Sequence, residues 1–167
     1  LATASTTFDS RLGGKVNFNF RDKFSTEVQL LNINADFPEY WNNYSKQKKI
    51  IPGNGYAYRS ALGYTTLQWN GYISFSPNSH FNFAAGKGKN FFGDGYRSLL
   101  LSDVANNYEF FKITSTIWKL KYINLFTNLK TENNPIGKRP NQFNKYASTH
   151  YLSWNATKRL NIGFFES

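Results

Sequence analysis

The fold of this chain is decided by residues 15–21, which read Lys-Val-Asn-Phe-Asn-Phe-Arg. Apolar Val16, Phe18 and Phe20 alternate strictly with polar neighbours in this stretch. Because successive side chains leave an extended strand on opposite sides, the alternation predicts a β-strand with one apolar face and one polar face. We expect the three apolar residues to face lipid or a dry partner, and the two asparagines between them to face the interior.

The same alternation recurs in several further segments of the chain. These segments are residues 24–30, 81–86 and 122–129. We expect Phe81 and Phe83 to lie on the apolar side and Asn82 to face the interior. Short polar turns such as residues 76–79 separate the segments. Alternating segments of about ten residues between turns are typical of transmembrane β-barrels, so the predicted fold class is an all-β antiparallel barrel.

The composition supports this fold class through its aromatic residues. The chain has 167 residues, with 16 Phe, 11 Tyr and 4 Trp in a background that gives a mean hydropathy of -0.55. Tyr and Trp combine an apolar body with a polar tip, which suits the girdles of a barrel at the two membrane interfaces. No run approaches about 18 consecutive apolar residues, so a transmembrane helix is excluded. An aromatic-rich soluble β-sandwich remains the alternative.

The residues that usually carry catalysis or metal binding are scarce. Cysteine is absent, which excludes disulfides, thiolate chemistry and cysteine metal sites. The two histidines, His80 and His150, make a poor zinc site, and no nucleophile–base arrangement is present. We therefore expect no metal, no cofactor and no enzymatic activity. His150 and Glu166 are predicted to face each other across a hairpin as a structural pair, with proton handling as the alternative.

The charge balance indicates an anionic partner. The chain carries 20 Lys and Arg against 10 Asp and Glu, for a formal charge of +10. Such an excess fits an acidic polysaccharide, lipopolysaccharide phosphates or nucleic acid, or simply solvated loops. The basic residues are dispersed, and their tightest cluster at 46–49 lies in a predicted loop. We therefore expect an anionic glycan or lipid and no nucleic acid.

Residues 1–167 are interpreted as one barrel segment without a linker between domains. About ten strands are predicted, at 5–12, 15–21, 24–33, 56–68, 70–76, 80–88, 110–118, 121–130, 146–154 and 160–166. A helical turn is expected around residues 99–104, and no helix elsewhere. The pattern stops within a strand near Ser167, and an open sheet edge cannot lie in lipid. The sequence therefore predicts a part of a larger barrel.

The connections between the strands are of two lengths. Long connections are predicted near residues 35–55, 89–109 and 131–145. Short turns are predicted near residues 22, 77 and 119. We expect the long connections on one side of the barrel and the short turns on the other, which is how outer-membrane barrels are built.

One long connection, residues 89–103, has the composition of a binding loop. Glycines flank Asp94 and permit a tight turn. Tyr96 can stack on a sugar face, and Arg97 can hold a carboxylate or phosphate with paired donors. The alternative is that Asp94 or Asp103 locks Arg97 in a structural pair. The predicted glycan-binding residues are Lys87, Lys89, Asp94, Tyr96, Arg97 and Asp103, the lysines adding a weaker field.

Residues 93–103, Gly-Asp-Gly-Tyr-Arg-Ser-Leu-Leu-Leu-Ser-Asp, also carry a family resemblance. This run resembles a segment of the Wzi-like capsule-assembly outer-membrane proteins and of related barrels linked to gliding motility. Residues 118–122 and the hairpin at 150–166 extend the resemblance, which covers roughly residues 80–167. The resemblance implies a large barrel in the bacterial outer membrane. It also implies retention of capsular polysaccharide at the cell surface, or an adhesin or motility role.

Together these observations predict a non-catalytic outer-membrane β-barrel. It would bind or anchor an acidic surface polysaccharide in capsule assembly, or support a gliding-motility or secretion assembly at the cell surface. The expected partners are outer-membrane lipid and lipopolysaccharide, an anionic polysaccharide, and other outer-membrane or secretion-machinery proteins. The alternatives are a porin-like channel for small solutes and a soluble secreted β-sandwich that binds carbohydrate.

Overall fold

In the computed structural model, the chain forms one large antiparallel β-sheet with a short helix. The structure describes residues 7–51, 53–56, 58–60, 63–96, 98–133 and 141–167. The strands are β1 Phe8–Phe20, β2 Phe24–Asp36, β3 Ile50–Ile51, β4 Gly55–Tyr56, β5 Tyr58–Ser60, β6 Gly63–Phe75, β7 Phe81–Gly88, β8 Tyr108–Ile117, β9 Leu120–Asn133, β10 Asn141–Thr157 and β11 Leu160–Glu166. The α-helix α1 spans Glu39–Lys48, and a 3-10 turn spans Arg21–Lys23.

The main sheet follows the order β1-β2-β6-β7-β8-β9-β10-β11, and every neighbouring pair is antiparallel. Strand β5 pairs with β6, while β3 and β4 form a separate hairpin. The predicted all-β, antiparallel class is therefore confirmed. The described sheet is open, with β1 and β11 at its two edges.

The strand register gives the sheet two chemically different faces. Phe18 lies opposite Thr26, and the same row continues through Ile73, Ala85, Phe111 and Phe126. We call the positions that share this side the apolar face. Its large apolar side chains include Val16, Phe18, Phe20, Val28, Leu30, Leu67, Trp69, Ile73, Phe75, Phe81, Phe83, Phe111, Ile117, Phe126 and Phe164. Most of them are exposed, Val16 by 72% and Phe18 by 54%.

The opposite side of the same strands is the loop-covered face. It contains Asn17, Asn19, Ile33, Tyr64, Asn82, Ala84, Lys112, Ile123, Leu125, Thr127 and Thr149. The predicted division is confirmed, because Val16, Phe18, Phe20, Phe81 and Phe83 share one face while Asn17, Asn19 and Asn82 share the other. What the apolar face contacts is a separate question of function.

Two small clusters of buried side chains lie on the loop-covered face. Ile51 and Tyr64 pack with Phe37 and Trp41 beneath α1. The second cluster comprises Phe92, Ile123 and Leu125, with Leu101, Phe110, Tyr151 and Phe165 packed against it. Burial in this protein therefore comes from connections that fold back over one side of the sheet.

Short turns and long connections lie at opposite ends of the strands. The turns Arg21–Lys23, 76–80, 118–119 and 158–159 join neighbouring strands at what we call the turn end. The connections 37–62 and 89–107 leave the other end, which we call the loop end. The predicted connection at 131–145 is too long, because residues 131–133 and 141–145 belong to β9 and β10. Residues 134–140 lie outside the described part of the chain.

Two predicted strand breaks are wrong. Gly13 and Gly14 do not divide residues 5–21, because β1 keeps its pairing with β2 through both glycines. A Cβ at Gly13 would collide with the carbonyl oxygen of Leu30, so glycine allows the close approach of the two strands there. Residues 63–75 likewise form a single strand, β6, which stays in register with β2.

The helix prediction is also wrong in both of its parts. Residues 99–104 contain no helical turn, and Leu101 instead forms an antiparallel bridge with Phe92. The helix α1 lies in the first long connection and ends at Lys49 in the left-handed conformation. Its sequence lacks an apolar stripe: Trp41 packs against Ile51 and Tyr64, and Ser45, one turn later, is buried and donates its hydroxyl to the carbonyl of Ile50. No helix in the described residues is long and apolar enough to cross a bilayer.

Candidate binding site

The connection 89–107 is docked onto the loop-covered face by Phe92. The Phe92 ring stacks on Tyr151 with 5.3 Å between ring centroids and contacts Phe165 at 6.3 Å. Its backbone N–H donates to the carbonyl of Leu101 at 3.0 Å, which closes the base of the connection. The residues beyond Phe92 therefore project from a fixed base that spans β9, β10 and β11.

The predicted glycan-binding residues are divided by this arrangement. Asp94, Tyr96 and Asp103 are exposed on the docked connection, and the Tyr96 side chain is 92% exposed. Arg97 lies outside the described residues, so its predicted contacts with a ligand, Asp94 or Asp103 do as well. Lys89 is exposed at the start of the connection. Exposure of an aromatic ring beside a docked base is compatible with stacking on a sugar.

Lys87 occupies a different environment, a recess at the loop end. Strands β6 and β9 have 13 and 14 residues and run past the shorter β7, which has 8. The recess between them has a volume of about 440 Å³. Lys87 Nζ lies 4.5 Å from the centroid of the Trp69 ring, a cation–π contact. Glu109, directly opposite Lys87 in the register, accepts a 3.0 Å hydrogen bond from Asn128.

A second recess, the inner concavity, opens on the loop-covered face. Its volume is about 440 Å³. Its lining includes Ser25, Glu27, Asn70, Tyr72, Ser74, Asn82, Lys87, Lys89, Asn90 and Lys112. Hydroxyl, amide and charged groups thus dominate this surface, in contrast to the aromatic rings on the other side of the same strands. Lys89 lines the concavity. Lys87 borders it as well, but the register places the Lys87 side chain on the apolar face beside Trp69. Asp94, Tyr96 and Asp103 do not line the concavity.

Lys112 and Asn90 are among the members of the concavity that sequence reasoning missed. Lys112 Nζ donates to Asn90 Oδ1 at 3.3 Å, and Asn90 is only 6% exposed. Alternation could have identified Lys112, because it shares one face of β8 with Phe110 and Thr114 and that face is turned toward the docked connections. No local sequence pattern identifies Asn90. Its position in the concavity depends on where β7 ends and on the path that the following connection takes.

His150 and Glu166 lie directly opposite each other on β10 and β11. The ring of His150 is engaged by neutral groups: Nδ1 lies 2.7 Å from Asn124 Oδ1, and Nε2 lies 3.2 Å from Ser148 Oγ. The hydroxyl of Tyr122 also lies 3.1 Å from Nδ1. Among the described residues, the salt bridges are Arg11–Asp9 and Lys15–Glu27, so His150 and Glu166 are adjacent without an ion pair.

Comparisons with known proteins identified no relative of this chain. No family model, no curated protein and no solved structure matches the chain significantly. The resemblance to the Wzi-like capsule-assembly proteins therefore stays a prediction from residues 80–167.

Proposed function

We propose that this chain forms part of the wall of a bacterial outer-membrane β-barrel that retains an acidic surface polysaccharide. In this proposal the apolar face contacts lipid and the loop-covered face lines the interior. The observation that supports it is the difference between the two faces, since one sheet carries exposed aromatic side chains on one side and docked connections on the other.

The length of the apolar face fits a bilayer. On β6 its apolar positions extend from Leu67 to Phe75, with Gly71 between them. A tilted transmembrane β-strand needs about 9–11 residues, and this stretch has nine. Beyond Leu30 on β2, the same face turns polar with Asn32 and Asn34, as expected at a membrane boundary.

The size of the exposed apolar surface argues against the soluble alternative. Soluble proteins rarely expose contiguous apolar patches larger than a few hundred Å². A β-sandwich would cover such a face with a second sheet, but no second sheet covers it within the described ranges. Since β1 and β11 do not pair with each other, a barrel in lipid needs further strands between them.

The experiment uses the absence of cysteine in the chain. Single-cysteine variants Phe18→Cys and Ile73→Cys test the apolar face, and Asn17→Cys and Asn82→Cys are the matched controls on the other face. Each carries a nitroxide label in native outer membranes. We expect labels at Phe18 and Ile73 to be accessible to oxygen and shielded from a water-soluble nickel complex. Labels at Asn17 and Asn82 should show a smaller difference between the two reagents. Equal access of the nickel complex to both pairs would contradict the proposal.

Retention of the polysaccharide is tested at the exposed connection. Arg97→Ala removes the paired donors, and Arg159→Ala removes the same charge at the turn end. We expect the Arg97 variant to assemble normally and to release surface glycan into the medium, while the control retains it. Failure of the Arg97 variant to assemble would favour a structural pair with Asp94 or Asp103. Normal assembly with full retention would show that Arg97 has no part in binding.

A further inference from the structure

The inner concavity holds a cationic group and an amide whose donor has no protein partner. Asn90 is more than nine-tenths buried, and its Nδ2 is a buried donor that no described acceptor satisfies. Lys112 lies beside it with Nζ 3.3 Å from Asn90 Oδ1. Both residues line the concavity. Nδ2 has almost no accessible surface, so Asn90 can act on a ligand only through the lysine that its oxygen holds.

The orientation of the Asn90 amide is determined by its neighbours. Lys112 Nζ can only donate, so the amide oxygen must face the lysine and Nδ2 must point away from it. The Asn90 backbone N–H donates to the hydroxyl of Tyr108 at 3.0 Å, which holds the residue in place. The amide oxygen therefore holds the ammonium group of Lys112 on a rigid support, while Nδ2 faces away from the lysine.

No carboxylate of the concavity neutralises Lys112. Glu27 is the acidic residue in its lining, and Glu27 Oε2 lies 2.9 Å from Lys15 Nζ in a salt bridge. Within the described ranges, Lys112 Nζ contacts the Asn90 oxygen and the Phe110 ring, whose centroid lies 5.7 Å away. A half-buried cation without an acidic partner favours an anion from outside the chain.

We propose that the inner concavity binds the carboxylate of an acidic sugar on Lys112 Nζ, which the Asn90 amide oxygen holds in position. The hydroxyls of Ser25, Tyr72 and Ser74 around this pair match the hydroxyls of a sugar ring, and a small inorganic anion leaves them unused. The choice of a sugar rests on the proposed function, whereas the anion site rests on Lys112 and Asn90 alone.

Binding of D-glucuronate to the purified protein in detergent tests the proposal, with D-glucose and inorganic phosphate as comparison ligands. Lys112→Met removes the cation, and Lys158→Met at the exposed turn end is the control with the same change of charge. We expect the Kd for glucuronate to rise at least tenfold in the Lys112 variant and to change less than twofold in the control. Equal affinities of the two variants would overturn the site. If phosphate bound as tightly as glucuronate, the proposal that the ligand is a sugar would be overturned.

A second variant and a measurement on the unaltered protein cover the case in which Lys112→Met does not fold. Asn90→Ala should weaken glucuronate binding at least threefold, and an unchanged Kd would remove the amide from the site. In the wild-type protein, glucuronate should slow acetylation of Lys112 at least threefold relative to Lys158, and glucose should not. Equal acetylation rates would overturn the proposal. Nitroxide accessibility tests the membrane location of the apolar face independently. Failure of the proposed barrel can therefore be distinguished from failure of the proposed carboxylate site.

Discussion

Leu125 and Phe126 are neighbours in β9, yet they belong to two different surfaces. Leu125 is 0% exposed beneath the docked connection, whereas Phe126 is 43% exposed on the apolar face. Two apolar residues in succession therefore contribute to stability in different ways. One is buried by the chain itself, and the other, in our proposal, is covered by lipid. In that proposal the two faces of the sheet differ in what solvates them as well as in which connections cover them.

The largest expected effect comes from Leu125. Leu125→Ala should lower the free energy of unfolding by about 2–5 kcal/mol, because it leaves a cavity under Phe92. Phe126→Ala should cost less, since lipid or detergent can refill the space. Urea unfolding in detergent micelles measures both. A larger loss for the Phe126 variant would show that the exposed face is the packed one.

The next effect tests the apolar face directly. Phe18→Arg should make folding into lipid vesicles less favourable by about 2–4 kcal/mol if the site lies near the bilayer midplane. Asn17→Arg, on the other face of the same strand, is the control and should cost far less. Folding yields at increasing urea measure the difference. Equal costs for the two variants would remove the distinction between the faces.

A smaller effect concerns the docked connection. Phe92→Ala should raise the rate of proteolysis within residues 93–107 by about tenfold, because the aromatic contacts with Tyr151 and Phe165 contribute up to about 1.5 kcal/mol to closing the loop. Phe91→Ala is the control, since the ring of Phe91 is exposed. Mass spectrometry of limited digests locates the cuts. Identical digestion of the two variants would show that Phe92 does not hold the connection.

The smallest effect is expected at the edge of the sheet. Glu166→Gln should change the free energy of unfolding by less than about 0.5 kcal/mol, because His150 is engaged by Asn124 and Ser148 without an ion pair to Glu166. His150→Ala, which leaves Asn124 unpartnered, should cost more. A large loss in the Glu166 variant would restore the structural pair predicted from the hairpin.

The residues of the two proposed binding sites were only partly accessible to sequence reasoning. The exposed connection with Asp94 and Tyr96 was predicted from its glycines and its aromatic residue, and it lies at the loop end. Lys112 and Asn90 were missed because they lie far apart in the sequence and meet through the pairing of β7 with β8. Alternation assigns a residue to a face, but it does not say which residues of that face meet.

The sequence by itself determined which residues share a face of each strand, because a side-chain period of two depends only on the local backbone. It also located most of the strands and their short turns. Only the tertiary structure decided that α1 and the connection 89–107 cover one face and leave the other open. Phe18, Phe92 and Phe126 have the same chemistry, and long-range contacts alone determine that Phe92 is buried while the others are exposed.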